Sequence, residues 1–592
     1  MRLFFLLLLF KIFWFDCSWC LISTFRPFSY AETYVFGILL ALLLLLPFVL
    51  LRRAFIAWIT DLALGCLLVS NLLYFRTYYT AIPLSSYCLA DNLKDFTDSV
   101  TRSLRWEDSL FLLSTAVASF IWLKIRRGGR EKNRTAGRYL LTVSVFILFA
   151  GALLLMKGGF KKSYELLQDS YTHTCGAPVY TVFGSVYYDY IRDREVYTPE
   201  VGRHIEGWMD EHAAASEADP PFIRDARVDC VLIIAESLES WVLEQHVEGQ
   251  ELTPCMNRLL RDSTTLYAPR VLSQVKGGRS IDAQLIFNAG LLPIETGAYS
   301  LKYPHTRFPS LAKAMKEKYG GNASACTLTA DKPLVWNQAV MASAFGYDSL
   351  LSKSNFIQDE IVGPHYRHQL GDVSLLRQSV EKIRAGEVWK GAASLVQIVT
   401  YSGHFPFTIP EHLKALSFSG RVPALMRDYM TVANYTDHAI GLFVEALRSD
   451  PRYDHTLIVV TGDHEGLADR RNELCRNAAG QGVVSEDPFT PLIIVNIPPS
   501  LRPSVSGCMR YENVMGQIDI YPTLLELLGL TAYEWRGLGQ SILHPDKKGI
   551  AVDAHNRICG DTANIPAAYI RFIKNAWKVS DEMIRYDYLG RE

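Results

Sequence analysis

The chain has 592 residues, 49% of them hydrophobic, and a formal net charge of −1. That length exceeds what one hydrophobic core supports, so at least two structural units are expected. The near-balanced charge excludes the basic surface that nucleic acid requires, so no nucleic-acid partner is expected.

Read in chain order, the first 160 residues are mostly apolar and the remainder has the composition of a soluble enzyme. Five apolar runs, near 3–23, 33–51, 55–75, 108–125 and 139–156, each approach the roughly 20 residues that cross a bilayer. The first carries Trp14, Phe15 and Trp19 and no small-x-small cleavage site, which argues for a retained helix rather than a signal peptide. Arg52 and Arg53 lie between runs two and three, and Lys124, Arg126, Arg127, Arg130, Lys132, Arg134 and Arg138 between runs four and five. Both loops are therefore expected in the cytoplasm. Five spans then put the amino terminus inside and everything after about residue 157 outside. Lys11 and Asp61 are expected near the membrane interface rather than in a proton relay.

Residues 157–225 read as a polar helical connector, and alternation of strands and helices begins at 226. Helices are expected at Met256–Arg261, Ser310–Lys318, Val373–Ala385, Arg427–Arg448 and Asp519–Leu528, with a late strand at Leu492–Val495. This alternation predicts an α/β sheet covered on both faces. The tail from about 546 to 592 carries no interpretable motif. The 11 cysteines include no metal-type C-x-x-C pair outside the membrane, and their pairing cannot be assigned from spacing.

Three apolar, β-branched runs end in groups suited to metal binding. Val231-Leu-Ile-Ile-Ala-Glu-Ser237 ends at Glu236, Leu395-Val-Gln-Ile-Val-Thr-Tyr-Ser-Gly-His404 at a histidine, and Leu457-Ile-Val-Val-Thr-Gly-Asp-His464 at an Asp–His pair. Such runs read as buried strands of a parallel sheet, whose working groups lie beyond the carboxyl ends of the strands. The run Lys276-Gly-Gly-Arg-Ser280 supplies a hydroxyl, which a metal beside carboxylates and imidazole converts into a nucleophile. Taken singly, each group has an ordinary structural reading. Glu236, Ser280 and Asp463 could be helix caps, and His404 a satisfied interior histidine. Trp336 could be core, Asp519 and Tyr521 structural, and Asp437 and His438 part of a helix surface.

Together, Ala235-Glu-Ser-Leu238, Gly278-Arg-Ser-Ile-Asp-Ala283, Trp336-Asn-Gln with Phe345-Gly-Tyr-Asp348, Ser402-Gly-His-Phe-Pro-Phe407, Gly462-Asp-His464 and Asp519-Ile-Tyr-Pro-Thr523 occur in that order. This set resembles the lipoteichoic acid synthase and phosphoglycerol transferase branch of the alkaline phosphatase/sulfatase superfamily. The resemblance covers roughly residues 226–545, and five amino-terminal spans over 1–156 fit the same architecture. It implies a sulfatase-like α/β domain with a central, mostly parallel sheet. It also implies one divalent ion, manganese foremost with magnesium or zinc as alternatives, held by Glu236, Ser280, Asp463 and His464. Ser280 would attack a phosphatidylglycerol-like lipid, diacylglycerol would leave, and an envelope glycan or polymer hydroxyl would take the phosphoglycerol group. His404 would serve as acid or base. Trp336 would line the substrate pocket, with Arg279 or Lys332 supplying positive charge there. The sequence departs from the family in having Ser rather than Thr as nucleophile, Gln338 where a basic residue usually stands, and no histidine shortly before Trp336.

Three rivals are weighed against this. A sulfatase needs Pro and Arg two and four places after its modified residue, whereas this chain has Asp282 and Gln284. A phosphoethanolamine transferase carries its nucleophile in a Cys- and Thr-rich run that is absent here. A silent scaffold has no need of all four ligands.

Overall fold

A computed structural model describes residues 2–20, 31–51, 53–78, 82, 105–126, 134–156, 196–216 and 228–591, apart from 296, 334, 364–368, 468–469 and 504–506. The chain divides into two compact units, Met1–Glu195 and Val196–Glu592. Much of the expected connector, at 157–195 and 217–227, lies outside the described residues.

In the first unit, α1 (Arg2–Cys20), α2 (Ala31–Leu51), α3 (Ala54–Tyr78), α4 (Ser109–Arg126) and α5 (Arg134–Met156) stand at the five apolar runs. Phe4, Leu8, Phe15 and Trp19 of α1 are buried against its neighbours, so α1 is part of the packed unit. Leu112, Phe120, Leu148 and Phe149 face outward. Among the described residues, Tyr34–Leu51 and Phe55–Tyr74 are long and apolar enough to cross a membrane.

Lys11 and Asp61 pair inside the helix unit. Both side chains are wholly buried, with Lys11 Nζ 2.7 Å from Asp61 Oδ2. The same ammonium donates to the Asp61 carbonyl at 2.7 Å and to Thr115 Oγ1 at 2.8 Å, so α1, α3 and α4 meet on one charge. Gly65, one turn beyond Asp61, makes room for it, since a Cβ there would lie 2.8 Å from Nζ. Hydropathy averaging hides such a pair because the surrounding leucines and phenylalanines dominate the window.

The second unit is built on a nine-stranded sheet. Its strands are β1 (Asp229–Ala235), β2 (Thr265–Leu272), β3 (Ala323–Thr329), β4 (Ser349–Leu351), β5 (Ala393–Val399), β6 (Thr456–Gly462), β7 (Phe489–Val495), β8 (Met509–Arg510) and β9 (Met515–Gly516). The order is β8-β2-β7-β6-β1-β5-β3-β4, with β9 also paired to β2. The pairings make the sheet mostly parallel, with β7 running against both of its neighbours. Every residue of β1 is buried. Cys230, Leu232 and Ile234 enter one core, and Val231, Ile233 and Ala235 enter the other. That two-residue alternation is what a strand covered on both faces requires. Helices α8 (Asp372–Arg384) and α9 (Ala424–Arg448) fill the second core, while α7 (Ser280–Ala289) and α10 (Ile520–Leu527) fill the first.

The tail without a motif forms α11 (Ala567–Arg585), which packs on α6 (Pro199–Ser216). Trp208 of α6 stacks on Phe572 at 4.7 Å and donates its indole N–H to the Phe572 carbonyl at 3.0 Å. Asp437 is another correction: it is fully buried rather than on a helix surface. Its carboxylate accepts the backbone N–H groups of Cys255 and Met256 at 2.9 and 2.6 Å, satisfying the start of the short helix Pro254–Leu259. His438 is exposed, as expected of a helix surface.

Removing one member of a buried pair strands the other charge, at a cost of about 3–5 kcal/mol. Lys11→Met alone is therefore expected to lower the melting temperature of the detergent-solubilised protein, and Lys11→Met with Asp61→Leu to recover most of the loss. Overlapping melting curves for the single variant and the native chain would contradict this.

Candidate active site

The register of the sheet assembles the site. Ala235 of β1 lies opposite Gly462 of β6, so the next residues, Glu236 and Asp463, leave the sheet side by side. On the other side of β1, Ile234 pairs with Val399 of β5, and the Glu236 N–H donates to Thr400 Oγ1 at 3.1 Å. The exit loops pack backbone to backbone. A Cβ on Gly403 would fall 1.9 Å from the Glu236 carbonyl, and one on Gly462 would fall 2.0 Å from that of Leu238. Glycine is required at both positions because no side chain fits the approach.

Ser237 adopts φ 56°, which reverses the chain after Glu236 and aims its N–H at Asp463 Oδ1, 2.7 Å away. The same oxygen accepts the His464 N–H at 2.8 Å. Asp463 Oδ2 accepts no hydrogen bond although the residue is fully buried. His464 Nε2 stands 3.4 Å from that oxygen and 3.6 Å from Glu236 Oε1.

Ser280 completes the group. It opens α7, and Arg279 before it is held at φ 51°, ψ −118°. A non-glycine residue in that region is strained by on the order of 1–3 kcal/mol, a cost met where geometry is functional. The turn raises Ser280 Oγ to donate to Glu236 Oε2 at 3.2 Å, with His464 Nε2 at 3.4 Å. Asp282 closes the preceding loop by accepting the N–H groups of Lys276 and Gly278, both at 2.9 Å. Burial pushes its carboxyl up to about 7. The far end of α7 is tied to the sheet: Asn288 donates to Gln397 Oε1 at 2.7 Å, Gln397 donates to Thr327 Oγ1 at 3.0 Å, and Tyr347 OH donates to Asn288 Oδ1 at 2.7 Å. A satisfied buried network of this kind registers a helix on a sheet.

Sequence reasoning passed over Glu465, whose signal was an acid directly following the Asp–His pair. Arg279 Nη1 donates to Glu465 Oε1 at 2.6 Å, and Ser273 Oγ to Oε2 at 2.8 Å. Burial works against this charge, yet the Arg279 guanidinium beside it holds the carboxyl at about 2. Arg279 Nη2 also stands 2.9 Å from His464 Nδ1 and donates to the Glu465 carbonyl. Burial, and then the Arg279 charge, lower the His464 pKa, so the imidazole is neutral, the state a metal ligand requires.

His404 follows β5 with its ring stacked on Tyr401 at 5.4 Å and Nδ1 2.7 Å from the Phe405 carbonyl. The loop is fixed by Asp372, which accepts the Tyr401 and Ser402 N–H groups at 3.0 Å. Lys332 and Trp336 follow β3, two strands from β1. Lys332 is exposed. Trp336, with Asn337, lies in the left-handed region and packs partly buried against the first core.

Among the described residues, Glu236, Asp463 and His464 offer ligand atoms that all lie within 4.8 Å of one another. Two ligands about 2.1 Å from a shared ion stand roughly 3.4 Å apart in tetrahedral geometry, close to the His464 spacings. The unpartnered Asp463 Oδ2 and the two-carboxylate, one-imidazole set therefore fit a divalent cation, with Ser280 Oγ alongside.

The sulfatase family profile matches residues 229–530, and that of the lipoteichoic acid synthase N-terminal domain matches residues 1–195. Lipoteichoic acid synthase 2 of Bacillus subtilis is 20% identical over 495 residues, covering 82% of this chain and 73% of that protein. Lipoteichoic acid synthase of Staphylococcus aureus is 22% identical over 510 residues, covering 83% and 75%. Among solved structures, the lipoteichoic acid synthase LtaP from Listeria monocytogenes aligns with a TM-score of 0.51 at 17% identity, over 64% of this chain and 98% of that one. Lipooligosaccharide phosphoethanolamine transferase A from Neisseria meningitidis aligns with a TM-score of 0.52 at 14% identity, over 89% and 95%. The chain belongs to the sulfatase family, in its lipoteichoic acid synthase and phosphoglycerol transferase branch, and is a membrane transferase of that class.

Asp463→Asn removes the charge of the unpartnered oxygen and is expected to weaken divalent-cation binding by about 100-fold or more. Titration of metal-free protein by calorimetry checks this, and unchanged affinity would contradict it.

Proposed function

We propose that the chain moves phosphoglycerol from a phosphatidylglycerol-like lipid to an extracytoplasmic glycan or polymer hydroxyl, through a covalent intermediate on Ser280. The observation that carries this reading is Ser280 Oγ, raised on a strained turn to 3.2 Å from Glu236 and 3.4 Å from His464, beside an unpartnered buried carboxylate oxygen.

A divalent ion held by Glu236, Asp463, His464 and Ser280, Mn2+ foremost, would lower the pKa of the serine hydroxyl and offset phosphoryl charge. The Ser280 Oγ–phosphorus bond forms as the bond to the diacylglycerol oxygen breaks. The serine proton leaves, and the departing oxygen gains one. In the second half the acceptor oxygen attacks phosphorus, the bond to Oγ breaks and the serine hydroxyl is restored. His404, with its hydrogen on Nδ1 toward the Phe405 carbonyl, presents Nε2 to accept or return a proton. Arg279, Lys332 and Trp336 complete the donor pocket. Arg279 acts from the turn that opens α7, where it pairs with Glu465 of the exit loop of β6. Lys332 and Trp336 act from the exit of β3.

Five helices at the five apolar runs support a multi-pass anchor in the plasma membrane, amino terminus inside and catalytic unit outside. The domains follow as a five-span bundle over 1–156, a connector over 157–225, a catalytic domain over 226–545 and its tail to 592. Sulfatase chemistry is disfavoured because Asp282, at the place of the maturation proline, closes the nucleophile loop.

Detergent-solubilised protein with Mn2+ and labelled lipid tests the reading through released diacylglycerol. Phosphatidylglycerol is expected to be cleaved, and Ser280→Ala to slow cleavage by roughly three orders of magnitude or more. Full turnover by the variant would remove Ser280 as nucleophile. Cleavage of phosphatidylethanolamine alone would make the chain a phosphoethanolamine transferase.

A further inference from the structure

Glu239 lies three residues past Glu236 and is fully buried. Its Oε1 accepts the backbone N–H groups of Gly466 and Leu467 at 2.8 and 2.9 Å, two and three residues past His464. Its Oε2 accepts from Arg471 Nη2 at 2.6 Å, while Arg471 Nη1 donates to the Ser485 carbonyl at 2.9 Å. The Glu239 N–H donates to Tyr429 OH at 2.9 Å, and that hydroxyl donates to the Ser237 carbonyl at 2.8 Å. One carboxylate thus joins the loop that carries Glu236 to the loop that carries Asp463 and His464. The loops touch there: a Cβ on Gly466 would come within 2.7 Å of the Tyr429 ring and 3.1 Å of Ser237 Cβ.

Stability gives little reason for this pair. A buried ion pair is often matched or bettered by apolar residues of the same volume. Its geometry does give a reason, because both oxygens of a rigidly held carboxylate are spent on fixing the separation of two ligand-bearing loops. Outer groups that orient ligands are worth about 10- to 100-fold in metal affinity at other sites.

We propose that Glu239, held by Arg471, is a positioning residue that sets the spacing between Glu236 and the Asp463–His464 pair, and through it the affinity for the divalent ion. It touches neither substrate nor ion. The inference rests on the reading of that cluster as a metal site.

The test uses the full chain in detergent, Mn2+ alone as the probe, electron paramagnetic resonance to count free Mn2+, and melting of the metal-free protein as a parallel readout. Glu239→Gln keeps an oxygen for the two N–H groups but turns an amide toward Arg471. Glu239→Gln and Arg471→Met are each expected to weaken Mn2+ binding at least ~10-fold and, because each disrupts a buried pair, to lower metal-free melting as well. Glu239→Gln with Arg471→Met strands no charge and is expected to melt closer to the native chain while still binding Mn2+ at least ~10-fold more weakly. The double variant is expected to bind no more weakly than either single one, because the pair acts as a unit. Arg471→Lys restores the charge and is expected to recover part of the affinity; this also serves if Glu239→Gln does not fold. Native affinity in Glu239→Gln, or a double variant that regains native affinity together with its melting temperature, overturns the positioning role alone. Failure of the native chain to bind Mn2+ overturns the metal site and the positioning role with it.

Discussion

Two carboxylates and an imidazole are buried with ligand atoms within 4.8 Å of one another, and this constraint organises the catalytic unit. Two like charges at that separation repel by on the order of 3–4 kcal/mol at an effective dielectric constant of 20. A neutral His464 removes one possible compensation, and Arg279, the nearby cation, is taken up by Glu465. The folded chain therefore holds an electrostatic deficit that a divalent cation answers, and the Ser280 hydroxyl stands at its edge.

The deficit is maintained by parts remote in sequence. Register between β1 and β6 brings the acids level, and glycines at 403 and 462 let the exit loops close on their neighbours. The strained Arg279 lifts the serine, while the Asn288–Gln397–Tyr347 network keeps α7 in register with the sheet. Even the carboxyl-terminal helix takes part. Ser580 donates to the Leu292 carbonyl, Asp581 accepts the Glu295 N–H, and Lys276, at the start of the serine loop, sits over the Trp577 ring at 4.6 Å. Energy spent on strain and buried charge at the site is offset by two extensive cores on either side of the sheet.

Much of this was legible in the sequence because strand ends are marked by composition. The β-branched runs before Glu236, His404 and Asp463 announce buried parallel strands, and parallel strands place their functional residues at one edge. The helices at Leu311–Lys318, Asp372–Arg384 and Ala424–Arg448 fall within a few residues of the expected positions. What was illegible depends on partners far along the chain. Asp437 looks like a surface acid until the helix it caps, at Pro254–Leu259, folds against it. Lys11 and Asp61 are 50 residues apart, and nothing local to either announces the pair that helix packing forms. Glu239 and Glu465 resemble loop acids, since nothing local reveals the arginines that hold them. The helix at Ala567–Arg585 has a clear amphipathic face but no chemical motif, so its place behind the serine loop is a fact of tertiary structure.

The central claim is that Ser280 carries the transferred group. Its most direct test is intact-mass and peptide mapping of the detergent-solubilised chain after incubation with Mn2+ and phosphatidylglycerol, without acceptor. The account predicts a glycerophosphoryl adduct on the peptide that contains Ser280, lost when Mn2+ is chelated beforehand. An adduct on another residue, or diacylglycerol release with no adduct at any time point, would contradict it.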